Sequence, residues 1–270
     1  MSTQRQSFSW LFSSNPVLGA TSISPDGSSF TAVLPEAFQL PQNATNVTVE
    51  VNSATIWYNT FNVTEKNNQF RWRNVGSGAG FFTLFIPPGL YSFDGLAAEL
   101  YSQLSDGGNT TYRLVANQPN QRVYESFVPS QFGIIQTWWP EGTFYDILGF
   151  DLNRITTYPN VVPAAYAGNR TARFNTVDYY LLHSSLVSRG IRTNGTYLQV
   201  IAQVPINAPP GAELLYEPQN PVVTPANELI GAVVSQVTTL LTDSNNNPVD
   251  TQGEAYTVGV VIRWSVPVYQ

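Results

Sequence analysis

LLTDSNNNPVDTQGEAYTVGVVIRW, residues 240–264, is the stretch on which the fold turns. Its middle, DSNNNPVDTQGE (243–254), has the outline of a calcium loop, with Asp243, Asn245 and Asn247 at the first, third and fifth positions and Glu254 at the twelfth. Two features oppose that reading. The sixth position needs a glycine for its sharp turn and holds Pro248, whose ring fixes φ on the wrong side. The flanks are wrong as well, because a calcium loop of this type sits between helices. VGVVIRWSV (258–266) instead sets Val258, Val260, Ile262, Trp264 and Val266 against Gly259, Val261, Arg263 and Ser265, a period of two. With IGAVVSQVTTLL (230–241) before it, the stretch reads as two strands joined by a polar turn. Asp and Asn close local side-chain turns there, Pro248 fixes a corner and Gly253 releases the chain.

The same period recurs upstream. VTVEV (47–51) places Val47, Val49 and Val51 on one face, and TYLQVIAQV (196–204) does so with Leu198, Val200, Ala202 and Val204. FFTLFI (81–86), TYRLVAN (111–117), RVYESFV (122–128), FGIIQTW (132–138) and YYLLHSSLV (179–187) are further strands, with NQPNQ turning one into the next. Nine or so strands rich in β-branched and aromatic residues make an all-β chain. Two short helices interrupt them. In SFDGLAAELYSQLSDGG (92–108), Phe93, Leu96, Ala97, Leu100 and Leu104 share a face, Ser92 is the N-cap, and Gly107-Gly108 ends the helix. TFYDILGF (143–150) offers Thr143 as cap and Gly149 as stop. Strands with helices only in their connections indicate an antiparallel β-sandwich, either a jelly roll or a simpler Greek key.

Composition narrows the function. Charged residues are 11% of the chain, against roughly 25% in an average globular protein, with Lys66 the single lysine. Such a surface loses little on desolvation against a neighbour, since interface cores are depleted in charge; secreted β proteins share the trait. A net charge of −6 argues against nucleic-acid binding, which needs a basic face. Absence of cysteine removes disulfides and thiolate metal sites. The apolar WLF in MSTQRQSFSWLFSS is too short for a signal peptide, and no run approaches a membrane-spanning helix. Six Asn-x-Ser/Thr sequons, Asn43, Asn62 and Asn194 among them, are expected to be unmodified.

Little here carries catalysis. His183, the single histidine, lies in a half-buried strand, where a hydrogen-bonded histidine is the ordinary occupant, and no GxSxG elbow exists. GSGAG (76–80) precedes a strand rather than a helix and fits a loop better than a phosphate cradle. A carboxylate pair for glycoside hydrolysis is invisible to sequence, because such pairs converge in space. Trp138 and Trp139, with Trp72, offer faces on which a sugar could stack, or they fill a core.

Three stretches carry a resemblance. The hairpin at 240–264, FTLFIPPGLYSFDGLAAEL (82–100) and YDILGF (145–150) are similar, in that order, to elements of the penton and minor capsid proteins of virophages, polinton-like viruses and related icosahedral viruses of the jelly-roll lineage. The resemblance implies a single jelly roll and a structural, non-enzymatic virion protein without cofactor or metal. It implies a pentamer at the five-fold vertex, beside the major capsid protein. Such a protein is made in the host cytoplasm or nucleus and resides in the capsid. The expected layout is an N-terminal arm over 1–20 and one jelly-roll domain over 21–270, with room for an insertion within 105–180. Within the arm, Phe8, Trp10, Leu11 and Phe12 are the expected subunit contacts, and deleting residues 1–12 is expected to weaken assembly while sparing the fold. The alternative is a carbohydrate- or receptor-binding β-sandwich, with Trp138 and Trp139 as the stacking platform.

Overall fold

The computed structural model describes residues 2–104, 111–128, 134–159, 164–193, 196–197 and 199–268. The chain forms two compact units, one from Met1–Thr60 with Val177–Gln270, the other from Phe61–Thr176. The boundary therefore falls at residue 61, well before the 105 expected from sequence. In chain order, the first unit contributes β1 (Ser2–Ser13), β2 (Ala20–Ile23), β3 (Ser29–Gln39) and β4 (Thr45–Trp57). The second unit follows with β5 (Gln69–Asn74), β6 (Phe82–Phe85), α1 (Phe93–Leu104), β7 (Thr111–Asn117) and β8 (Arg122–Val128). It ends with β9 (Ile135–Trp139), α2 (Tyr145–Leu148), β10 (Arg154–Tyr158) and β11 (Ala164–Ala167). The chain then returns to the first unit with β12 (Tyr179–Ser184), β13 (Arg192–Thr193), β14 (Thr196–Tyr197), β15 (Val200–Pro205) and β16 (Glu213–Tyr216). β17 (Thr224–Pro225), β18 (Val233–Thr242) and β19 (Thr257–Val268) complete it.

In the first unit, one sheet runs β1-β19-β4-β16 and the other β15-β12-β18-β3-β2, with every neighbouring pair antiparallel. Among the eight principal strands taken in chain order, the first pairs with the last (β1 with β19) and the second with the seventh (β3 with β18). The third pairs with the sixth (β4 with β16) and the fourth with the fifth (β12 with β15). That nesting is a long antiparallel ribbon rolled into two sheets, the jelly roll, and it rules out the simpler Greek key. Its core comes from the alternation legible in the sequence: Val47, Val49 and Val51 of β4 and Val258, Val260 and Ile262 of β19 are all buried. The second unit occupies the link between the third and fourth ribbon strands.

The terminal hairpin loop is an Asp-capped turn. Asp243 Oδ1 accepts from the backbone N–H of Asn245 and of Asn247, both at 2.8 Å, and Oδ2 accepts from Asn247 Nδ2 at 3.1 Å. The carboxylate is thus turned into its own loop, and Val249 is buried at its base.

The second unit packs a four-stranded sheet, β10-β9-β5-β6, and a three-stranded one, β11-β8-β7, around an aromatic core. Helix α1 buries Leu96 and Leu100 on the face expected of it, and Ser92 Oγ caps Gly95 N–H at 3.1 Å; Gly107-Gly108 lies outside the described residues. Thr143 does not cap α2: its hydroxyl donates to Pro140 O at 2.7 Å, and Phe144 holds the cap position. Gly149 ends α2 with φ +75°, as the motif requires.

The N-terminal stretch differs from expectation. Ser2–Ser13 pairs residue for residue with β19, from Ser2 opposite Val268 to Ser13 opposite Thr257. It is a strand of the jelly roll, and removing residues 1–12 would strip the cover from β19 rather than spare the fold. The overlooked signal is an alternation, Phe8, Trp10 and Phe12 against Ser7, Ser9 and Leu11.

Candidate subunit interface

β1 is the last strand of its sheet, and among the described residues nothing pairs with its outer edge. Twelve residues at about 3.4 Å each give an open edge of roughly 40 Å. Alternate N–H and C=O groups along it face outward unpaired. Monomeric proteins blunt such edges with lysine, proline, bulges or a covering element. β1 has no lysine, no proline and a regular register, and beyond Arg5 its side chains are neutral. The contrast with β3 is direct, since β2 covers that edge at Phe30–Ala32 and Pro35 and Glu36 punctuate the remainder.

The four residues expected at an interface fall on this strand with graded exposure. Phe12 is buried (4% exposed) and packs in the sandwich, so it is a core residue and not a contact. Trp10 is half-buried, Phe8 is 43% exposed, and Leu11, on the opposite face, is 72% exposed. Phe8 and Trp10 meet edge-on at 4.9 Å, and both touch Phe38 of β3, at 5.3 and 4.9 Å. Trp264 closes the group 6.0 Å from Phe38. An aromatic cluster therefore sits at the mouth between the two sheets. Phe38 was missed because LPEAFQ carries Pro35 and two further polar residues, which hide its strand character.

The stacking platform divides. Trp139 is 0% exposed, stacked on Phe150 at 4.9 Å and edge-on to Phe70 and Phe144 at 5.4 and 5.5 Å. No sugar can reach it. Trp138 is half-buried on the outer face, with the Arg71 guanidinium 5.2 Å above its ring and Phe81 beside it at 5.2 Å. Asn62 is likewise unavailable for modification, for its amide donates to Tyr91 O and Phe174 O and accepts from Tyr91 N–H. Asn43 is exposed; Asn194 lies outside the described residues.

His183 and Glu125 are among the buried ionisable groups. His183 bonds through Nε2 to Thr242 Oγ1 at 2.9 Å, tying β12 to β18, and burial holds its pKa below the usual value. In the second unit, Glu125 of β8 is wholly buried, on the same strand face as Val123 and Phe127. Its Oε2 accepts from Thr137 Oγ1 at 3.3 Å and Trp139 Nε1 at 3.4 Å, and the buried hydroxyls of Tyr112 and Tyr158 lie beside the carboxyl. Burial raises the carboxyl to about 7, only partly offset by Tyr158, Thr137, Trp139 and the charge of Arg154.

Two solved structures similar to this chain can be named. The selenomethionine-labelled mavirus penton protein is 11% identical, with a TM-score of 0.49 over 96% of this chain and 99% of that one. A chain of the Sputnik virophage, solved by cryo-EM, is 10% identical with a TM-score of 0.46, over 96% and 97% respectively. No protein-family model and no curated protein matches the chain. Among the described residues no helix is long and apolar enough to cross a membrane.

Proposed function

We propose that the chain is a structural subunit of an icosahedral virion, a penton that closes into a five-membered ring through the β1 edge and abuts the major capsid protein. The carrying observation is that edge: long, regular, unguarded and flanked by exposed aromatic and aliphatic side chains. A protein working alone would aggregate through it, so a neighbouring subunit is its natural cover. A jelly roll with few charges offers sides that desolvate cheaply, and one heterologous contact closes a ring under cyclic symmetry. The three motifs similar to penton and minor capsid proteins support the same reading, which involves no catalytic step.

Light scattering of the purified full chain tests it. A ring of five weighs about 149 kDa, five times 29.8 kDa. The Phe8→Ser/Leu11→Ser pair removes apolar surface without entering the core and is expected to leave the 29.8 kDa monomer, with unchanged circular dichroism. A wild-type monomer at millimolar concentration, or a ring indifferent to the pair, overturns the assignment of the edge.

A further inference from the structure

The exposed face of the four-stranded sheet in the second unit has a distinct chemistry. The strand registers align Thr83, Arg71, Trp138 and Ile155 in one cross-strand row. Arg73, Gln136 and Thr157 form the next, and Phe85 with Gln69 the third. Phe81, just before β6, packs against Trp138 beside the second row. None of these ten side chains is acidic, in a chain whose formal charge is −6. Arg71 and Arg73, two residues apart on one strand, stand about 7 Å from each other on the same face.

Both guanidiniums are held in place by neutral groups. Arg71 donates through Nε and Nη2 to Gln69 Oε1, at 3.1 and 2.7 Å, and lies over the Trp138 ring. Arg73 donates through Nε to Gln136 Oε1 at 2.9 Å and lies 4.6 Å over Phe81. Gln136 in turn donates to Thr157 Oγ1 at 2.9 Å. Neither arginine has an ion-pair partner among the described residues. Two full positive charges are thus fixed on a rigid sheet, with N–H groups left over and no carboxylate supplied by the protein itself. Guanidinium stacked on an aromatic ring is already ordered, so a carboxylate that docks there loses little further freedom.

We propose that this face docks an acidic segment of a partner protein, one that presents two carboxylates and flanking apolar side chains on a single face of an extended strand. The guanidiniums would take carboxylates two residues apart on an extended strand, whose spacing is the same 7 Å. Phe85 (61% exposed) and Ile155 (52%) flank the pair and would take the apolar groups. This apolar flank favours a protein segment over a heavily hydrated sulfated polysaccharide. Arginine with tryptophan and phenylalanine, and no acid, is also the composition of a protein-docking centre. Two copies of the face cannot pair with each other, because arginine would meet arginine.

The test uses the full chain and a fluorescein-labelled octapeptide with leucine at its first and seventh positions, glutamate at its third and fifth and serine elsewhere, followed by anisotropy at two salt concentrations. The same octapeptide with glutamine for both glutamates is the control, and heparin is the competing anion. Saturable binding of the acidic peptide that weakens with salt is expected, about tenfold tighter than the control. Arg71→Gln/Arg73→Gln should weaken it about tenfold, and Arg71→Lys/Arg73→Lys should recover only part, since lysine lacks the fork. Ile155→Glu, an exposed change that leaves the fold alone, should weaken it comparably. Equal binding of both peptides, binding indifferent to Ile155→Glu, or binding of heparin with none of the acidic peptide each overturns the proposal.

Discussion

Replacing Glu125 by glutamine should make the protein more stable at neutral pH and leave it nearly unchanged in acid. The folded state raises this carboxyl from 4.5 to about 7. Between those values the folded chain binds a proton that the unfolded chain has released, so unfolding free energy falls as pH rises through the window. The contribution is fully present below about pH 4.5 and gone above about pH 7. At 1.36 kcal/mol per pH unit, the total is about 3 kcal/mol. Glutamine has nearly the same shape, keeps an acceptor for Thr137 and Trp139, and does not titrate. Urea unfolding of both proteins at a series of pH values isolates the effect, because every other titrating group cancels in the difference. The gap between the curves should open from near zero in acid to about 3 kcal/mol above neutrality. Hydrogen exchange on the peptides of β8 and β9 would place the change in the second unit. A gap that stays constant across the window would refute the reasoning, since Glu125 would then titrate as an ordinary surface carboxyl.

Gly149→Ala should cost about 3 kcal/mol or more: its φ of +75° strains any side chain, and a Cβ there would lie 2.3 Å from the backbone oxygen of Arg170. Gly78→Ala, at φ +67° with nothing within 4 Å, should cost only about 1 kcal/mol, and thermal melts of the two variants separate clash from conformation. His183 gives the opposite pH dependence to Glu125. Its folded pKa is depressed by burial, so stability is present above about 6.5 and falls as the pH drops below that value. His183→Gln should flatten this acid limb in the same urea series, and an unchanged limb would remove His183 as its source.

The alternation of β4 and β19 was legible because both strands pair valine faces with polar or small ones, and the β7–β8 hairpin emerged with its bounds intact. Strand nesting was not legible, since partners such as Ser2 and Val268 stand at opposite ends of the chain. β1 was concealed by serine and glutamine, which are as common in loops as on an exposed edge. Three of the four expected contacts, Phe8, Trp10 and Leu11, are apolar side chains exposed or half-buried on the open strand, with Phe12 in the core. Trp139 failed as a stacking residue because adjacent tryptophans on a strand must point to opposite faces, and only Trp138 points outward. Glu125 was legible in principle: RVYESFV puts it between Val123 and Phe127 on the apolar side. The basic face could not be read, because it is assembled from four strands whose register no local pattern encodes.

The nesting of the ribbon also sets an order of events during synthesis. β1, β3 and β4 emerge first, yet their ribbon partners β19, β18 and β16 lie more than 150 residues downstream. Until the last strand leaves the ribosome the first has nothing to pair with, and closing so long a loop is slow. Phe61–Thr176 is contiguous and holds its sheets and aromatic core within itself, so it can condense while the jelly roll waits. A folded middle then shortens the distance that the nascent N-terminal strands must search, and keeps about two fifths of the chain's apolar residues out of reach of other unfinished copies.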